Sequence, residues 1–146
     1  MRKIYLSTFF LTFCLAANSQ TTTFDRVYSI LQTNCTGTCH NTANHAGNLD
    51  FTAAEPNVYT ALVNVTPQNS AAATMGNKLA DPGNPRSSFL FKKIARGLDA
   101  NLSLTAAENP TTHDTLAVMT QTEREMIRQW ILFGAKDTGN FVNEQP

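Results

Sequence analysis

The chain has 146 residues, with 11 Lys and Arg against 11 Asp and Glu, so its formal net charge is zero. That length suits one domain, and the balance gives no field to draw nucleic acid or an anionic membrane surface. Like charges are not clustered; Lys92 and Lys93 form the densest pair.

Residues 1–19 read as a signal peptide. Arg2 and Lys3 precede an apolar run from about Ile4 to Ala17, and "ANS" offers small residues for cleavage before Gln20. The run is too short for a comfortable membrane span. Cys14 follows Phe13, whereas a lipid-anchored cysteine follows a small residue, so Cys14 is expected to leave with the leader. Residues 20–146 then form one exported, periplasmic or secreted domain that keeps only Cys35 and Cys39, in a compartment that permits disulfides.

The first helix is predicted from Phe24, Val27, Tyr28 and Leu31, which recur at i, i+3, i+4 and i+7 and run into Asn34. A short helix follows from Pro56 to about Val63, with proline in its first turn. A third is expected after "DPGNPRSS", capped by Ser87, carrying Phe89, Leu90, Phe91 and Ile94 and stopped by Gly97. The last is the best defined: Thr120 and Glu123 have capping-box spacing, and Thr122 with Glu125 repeats it. Met126, Ile127, Trp130 and Ile131 then make an apolar stripe that Gly134 ends. No convincing strand is expected. Residues 64–86 and 98–118 read as long polar loops, of a length that compact domains seldom hold unless the loops wrap something.

"NCTGTCH", residues 34–40, carries the chemistry. A Cys35–Cys39 disulfide closes a very small loop, adds little stability and leaves His40 unexplained. Zinc would need Cys35, Cys39 and two of His40, His45 and His113, but adjacency of Cys39 and His40 makes tetrahedral ligation awkward. Covalent haem accounts for the order of the residues: two thiols for two vinyl groups, then a histidine for the iron. The motif is one residue longer than Cys-x-x-Cys-His, and Gly37 is expected to let the extra residue bulge.

Three blocks in order, "FDRVYSILQTNCTGTCH", "DPGNPRSSFLFKKI" and "MTQTEREMIRQWILFGA", resemble the small single-haem cytochrome c domains of exported bacterial proteins across roughly residues 24–136. The resemblance implies an all-α, cytochrome c-like domain of about four helices, with long loops wrapped around one covalent haem c. Cys35 and Cys39 would carry the thioethers and His40 would be the proximal iron ligand. In that family a distal methionine lies several residues before the leucine that opens the last helix. Met119 takes the place of that leucine here, so His113 is the preferred distal ligand, with Met119 the alternative and Asp114 beside His113 as its hydrogen-bond partner. Phe24, Tyr28 and Leu31 should pack against Trp130 and Ile131, while Tyr59, Phe89 and Phe91 are candidates for the haem wall.

The function implied is one-electron transfer between exported or membrane-bound redox proteins, alone or within a larger complex. Nothing resembles a substrate-acting set: no Ser-His-Asp order, no phosphate loop, no placed carboxylate pair. The alternatives are a haem sensor or small peroxidase-like enzyme with an open iron site, and a haem-free secreted binding module held by zinc or a disulfide.

Overall fold

The computed structural model describes residues 21–95, 102–110 and 119–140. The leader expected at 1–19, Gly97 and His113 lie outside them. Within the described residues the chain is mostly helical, and no helix is long and apolar enough to cross a membrane.

Helix α1 spans Thr23–Cys35. The Thr22 hydroxyl accepts from the Asp25 N–H at 3.0 Å, and the Asp25 carboxylate accepts from the Thr22 N–H at 2.7 Å, so two free donors of the first turn are satisfied. Phe24, Val27 and Leu31 are fully buried on one face, as their spacing requires. Its C-terminal carbonyls are met by side chains: Asn34 donates to Ile30 O, Thr36 to Gln32 O and Thr33 to Ser29 O.

A two-residue hairpin follows at once. Strand β1 (His40–Asn41) pairs antiparallel with β2 (Asn44–His45), His40 opposite His45. Period-two patterning could not announce strands this short. A 3₁₀ turn over Ala46–Asn48 leads on to helix α2, Glu55–Leu62. Its bounds differ by one residue from expectation, and Pro56 sits in the first turn, where no N–H is needed.

The stretch 64–86 is not an unstructured loop. Asn69 accepts from the Ala72 N–H at 2.9 Å and so caps a short helix α3, Ser70–Thr74. Backbone bonds fix the rest: Leu79 N–H to Val65 O, Ala80 N–H to Leu62 O, Phe89 N–H to Lys78 O. A 3₁₀ turn at Pro85–Ser87 precedes helix α4, Phe89–Ile94, which ends at Ala95. Ser87 is therefore not the cap of α4. Ser88 holds that position, and its hydroxyl instead accepts from Asp81 N–H and donates to Asn84 O, closing the turn before the helix.

Helix α5, Gln121–Leu132, carries the expected Thr120–Glu123 capping box. The second candidate box is unused, because Arg128 and Gln129 hold the Glu125 carboxylate. At its end Gly134 takes φ +99°, its N–H bonds Ile131 O, and the Ala135 N–H bonds Trp130 O at 2.9 Å. That pair of bonds is the Schellman closure, and it requires a left-handed residue at Gly134.

The core forms where α5 packs on α1 and α4 and where α1 meets α2. The Phe24 ring lies 5.2 Å from Trp130 and edge-on to Tyr59 at 5.1 Å. Trp130 Nε1 donates to Lys136 O and the Tyr59 hydroxyl to Ala135 O, so both polar tips are paired. At the other end of the contact, Asn34 Nδ2 donates to Glu123 Oε1 at 3.2 Å. Helices α1 and α5 thus run in opposite senses.

Trp130→Ala removes the largest fully buried side chain from this contact. A loss of about 3–5 kcal/mol is expected, from a usual total of roughly 5–15 kcal/mol. Thermal melting followed by circular dichroism measures it; a melting temperature near that of the wild type would show that the α1–α5 contact does not hold the fold.

Candidate functional site

Cys35 is the last residue of α1, so the contact with α5 also fixes where its thiol stands. One turn of chain then brings Cys39 and His40 back beside it. Asn41 organises that turn: its Nδ2 donates to Thr36 O at 2.7 Å, and its Oδ1 accepts from the N–H groups of Ala43 and Asn44. Asn44 Nδ2 adds a bond to Thr38 O at 2.9 Å. Small polar residues are needed here because their side chains substitute for backbone partners in a tight bend. Gly37 does not use its conformational freedom. Its φ is not positive and a Cβ there would meet nothing within 4 Å, so Asn41 and Asn44, not glycine, shape the longer motif.

His40 is held twice by Phe51. Its carbonyl accepts from Phe51 N–H at 3.0 Å, and its ring lies 5.1 Å from the Phe51 ring. Burial lowers its pKa below the usual imidazole value, against hydrogen bonds with the backbone of Leu49 and Ala46. The neutral form, which offers a lone pair, is thereby favoured. Burial, and then the neighbouring Cys39, push the Cys35 thiol up to about 11. Both cysteines are free thiols.

Cys35, Cys39 and His40 all open into one cavity of about 480 Å³. Leu49, Phe51, Leu79, Leu90, Ile94 and Phe89 make its wall apolar, and Pro67, Asn69, Lys93 and Pro110 complete it. A concave, largely apolar space of this size is the usual form of a small-molecule or cofactor site.

Of the three aromatic candidates for the wall, only Phe89 lines the cavity; Tyr59 packs on Phe24, and Phe91 is buried in the core. Leu90 and Ile94 were legible as an i, i+4 pair on α4, but Leu49 and Phe51 carried no such signal. Among the described residues, the other histidine and the methionines fall elsewhere. His45 is exposed, 3.5 Å from Asp50; Met75 is 61% exposed; Met119 is buried in the core at the start of α5; Met126 packs against that core. Among the described residues no three His, Cys, Asp or Glu side chains converge as a metal-ion site. Between Arg26 and Asp50 the chain has no Lys, Arg, Asp or Glu, so the exposed turn around Thr38 and Asn44 is uncharged.

A second polar cluster borders the cavity. Glu108 is fully buried, ion-paired with Lys92, and accepts from the Thr105 N–H at 3.0 Å and the Thr105 hydroxyl at 3.1 Å. Burial pushes its carboxyl up, but Lys92 and Thr105 more than offset this and hold it below the usual carboxylate range.

No protein-family model, curated protein or solved structure gives a significant match to this chain.

Two outcomes are expected. With Cys35 as a free thiol, its alkylation should rise about tenfold per pH unit, the slope of a single thiol titration, and level off near pH 11; a plateau near pH 8.5 would contradict a buried thiol. Because the folded-state pKa of Glu108 is lowered, its stabilising contribution is complete above the unfolded value of 4.5 and is lost as pH falls through the folded value. Acid unfolding of wild type against Glu108→Gln should show that part of the pH dependence removed.

Proposed function

We propose that this chain is a monohaem c-type cytochrome that carries one electron between exported or membrane-bound redox proteins. The observation that carries the reading is that Cys35, Cys39 and His40, in the order that haem attachment uses, open together into one largely apolar cavity of about 480 Å³. The mostly helical architecture is compatible with a cytochrome c-like fold.

The donor set fits the group. Each thiol would add its sulfur and its proton across one vinyl group, with no oxidant needed, and His40 would give a nitrogen to the iron. When bound, the haem supplies a one-electron redox centre. The chain's part is to exclude water and to set the potential through ligands and burial. Leu49, Phe51, Leu90 and Ile94 supply the dry wall, and Phe51 orients the His40 ring.

His113 is the distal ligand in this reading, with Met119 the alternative. Pro110 lines the cavity, and His113 follows it by three residues in the sequence. Met119 packs in the core, 5% exposed. The uncharged turn around Thr38 and Asn44 lies on the thioether side and offers redox partners a surface without charged side chains.

Intact-mass measurement should give the chain from Gln20 plus one haem, retained on a denaturing gel; a mass equal to the bare chain would sink the proposal. Electron paramagnetic resonance of the oxidised protein tests the distal ligand. His113→Ala should convert the iron to high spin, while Met119→Ala should leave it low spin and cost stability, about 2–5 kcal/mol for a buried methionine. The reverse pattern would move the ligand to Met119.

A further inference from the structure

The segment 102–110 crosses from one side of the cavity wall to the other. On the α3 side, Asn69 Nδ2 donates to Ala107 O at 2.9 Å, while its Oδ1 caps α3. On the α4 side, Lys93 Nζ donates to Glu108 O and lies 4.9 Å over the Phe89 ring. Asn69, Lys93, Phe89 and Pro110 all line the cavity. The segment itself is one turn closed by Thr105 and Glu108: the Glu108 N–H bonds the Thr105 hydroxyl, and the Glu108 carboxylate accepts from Thr105.

Glu108 is where these ties converge. Its carboxylate, with no solvent exposure, meets Lys92 from α4, Asn77 Nδ2 at 3.5 Å from the chain after α3, and Thr105 from its own turn. A buried charge holds only while its partners hold it, since leaving it unpaired is costly. The network is thus all-or-none in character. Among the described residues its partners come from α4, from the chain after α3 and from its own turn, and none from the hairpin that carries His40.

We propose that residues 102–110 form a strap latched by Glu108, and that this latch positions the wall at Asn69, Lys93 and Pro110 and so limits access of small external ligands to the cavity. The inference rests on the haem reading for its spectroscopic readout but not for the latch itself. Glu108 is a positioning residue: it lies behind the wall and acts through Pro110 and Lys93.

The test uses the haem-loaded protein carrying His113→Ala, which leaves the iron open to imidazole as the external ligand, with Glu108→Gln, Lys92→Met and, as the milder change, Thr105→Ala each added in turn. Imidazole association with the oxidised iron should quicken by about tenfold or more in the first two and less in the third, as local opening becomes more frequent. Amide hydrogen exchange at residues 105–109 should quicken in parallel, while covalent haem content stays at the wild-type level. Val27→Ala, on the buried face of α1 and no partner of Glu108, should lower the melting temperature without changing imidazole access. Equal gains in Val27→Ala and Glu108→Gln would overturn the proposal, because general loosening would then explain both. Unchanged association and exchange in all three latch variants would overturn it as well. If Glu108→Gln does not fold, Thr105→Ala decides. A wild-type chain without covalent haem would overturn the functional reading instead, and hydrogen exchange alone would then judge the latch.

Discussion

The contact between Phe24 and Trp130 is the constraint on which the rest of the site depends. The two ends of helix α1 are fixed by different means: aromatic packing at Phe24, and the Asn34–Glu123 hydrogen bond at the other end. Cys35 is the next residue after Asn34. A helix clamped at both ends cannot rotate to present another face, so the first thiol is aimed in part by aromatic packing at the far end of the helix. This is why a large core residue such as Trp130 bears on the chemistry without touching it.

The second thiol and the histidine are positioned differently. No apolar core stands behind the turn from Thr36 to Asn44; asparagine side chains supply the bonds that the bent backbone cannot make for itself. His40 then gains its orientation from Phe51, through one backbone bond and one ring contact. The two halves of the motif are therefore stabilised independently, one by burial and the other by local hydrogen bonds. A covalent cofactor bridging them would join two elements that otherwise share little besides the cavity wall.

What could be read in the sequence follows from the range of the interactions involved. Helices α1 and α5 were legible because each carries an apolar stripe at helical spacing, and for α5 the Thr120–Glu123 box and Gly134 lie where its end signals place them. Cap positions were less legible where one hydroxyl has competing partners: Ser87 and Ser88 are neighbours, and tertiary demand from Asp81 decided what each does. Helix α3 escaped notice because five residues of mostly alanine leave no periodicity, and only the Asn69 cap marked it. The cavity wall was partly hidden for a related reason. Leu49, Leu79 and Pro110 come from three distant segments, and no local pattern says that they meet.

Glu108 shows how far a local signal can be informative and still incomplete. Thr105-x-x-Glu108 has the same spacing as the boxes at 120–123 and 22–25, and it makes the same reciprocal bonds. In the other two cases the box opens a long helix and its acid stays near water or at the surface. Here it closes a single turn, and the carboxylate is carried inward to Lys92 with no exposure at all. Burying an ion pair gives little net stability over an apolar pair of similar size, because desolvation consumes most of the attraction. What it supplies is a geometry that tolerates little variation, since the charge must keep its donors. The wall segment "LSLTAAENP", whose Leu102 and Leu104 are only partly buried against the core, gains a more closely fixed position from that requirement.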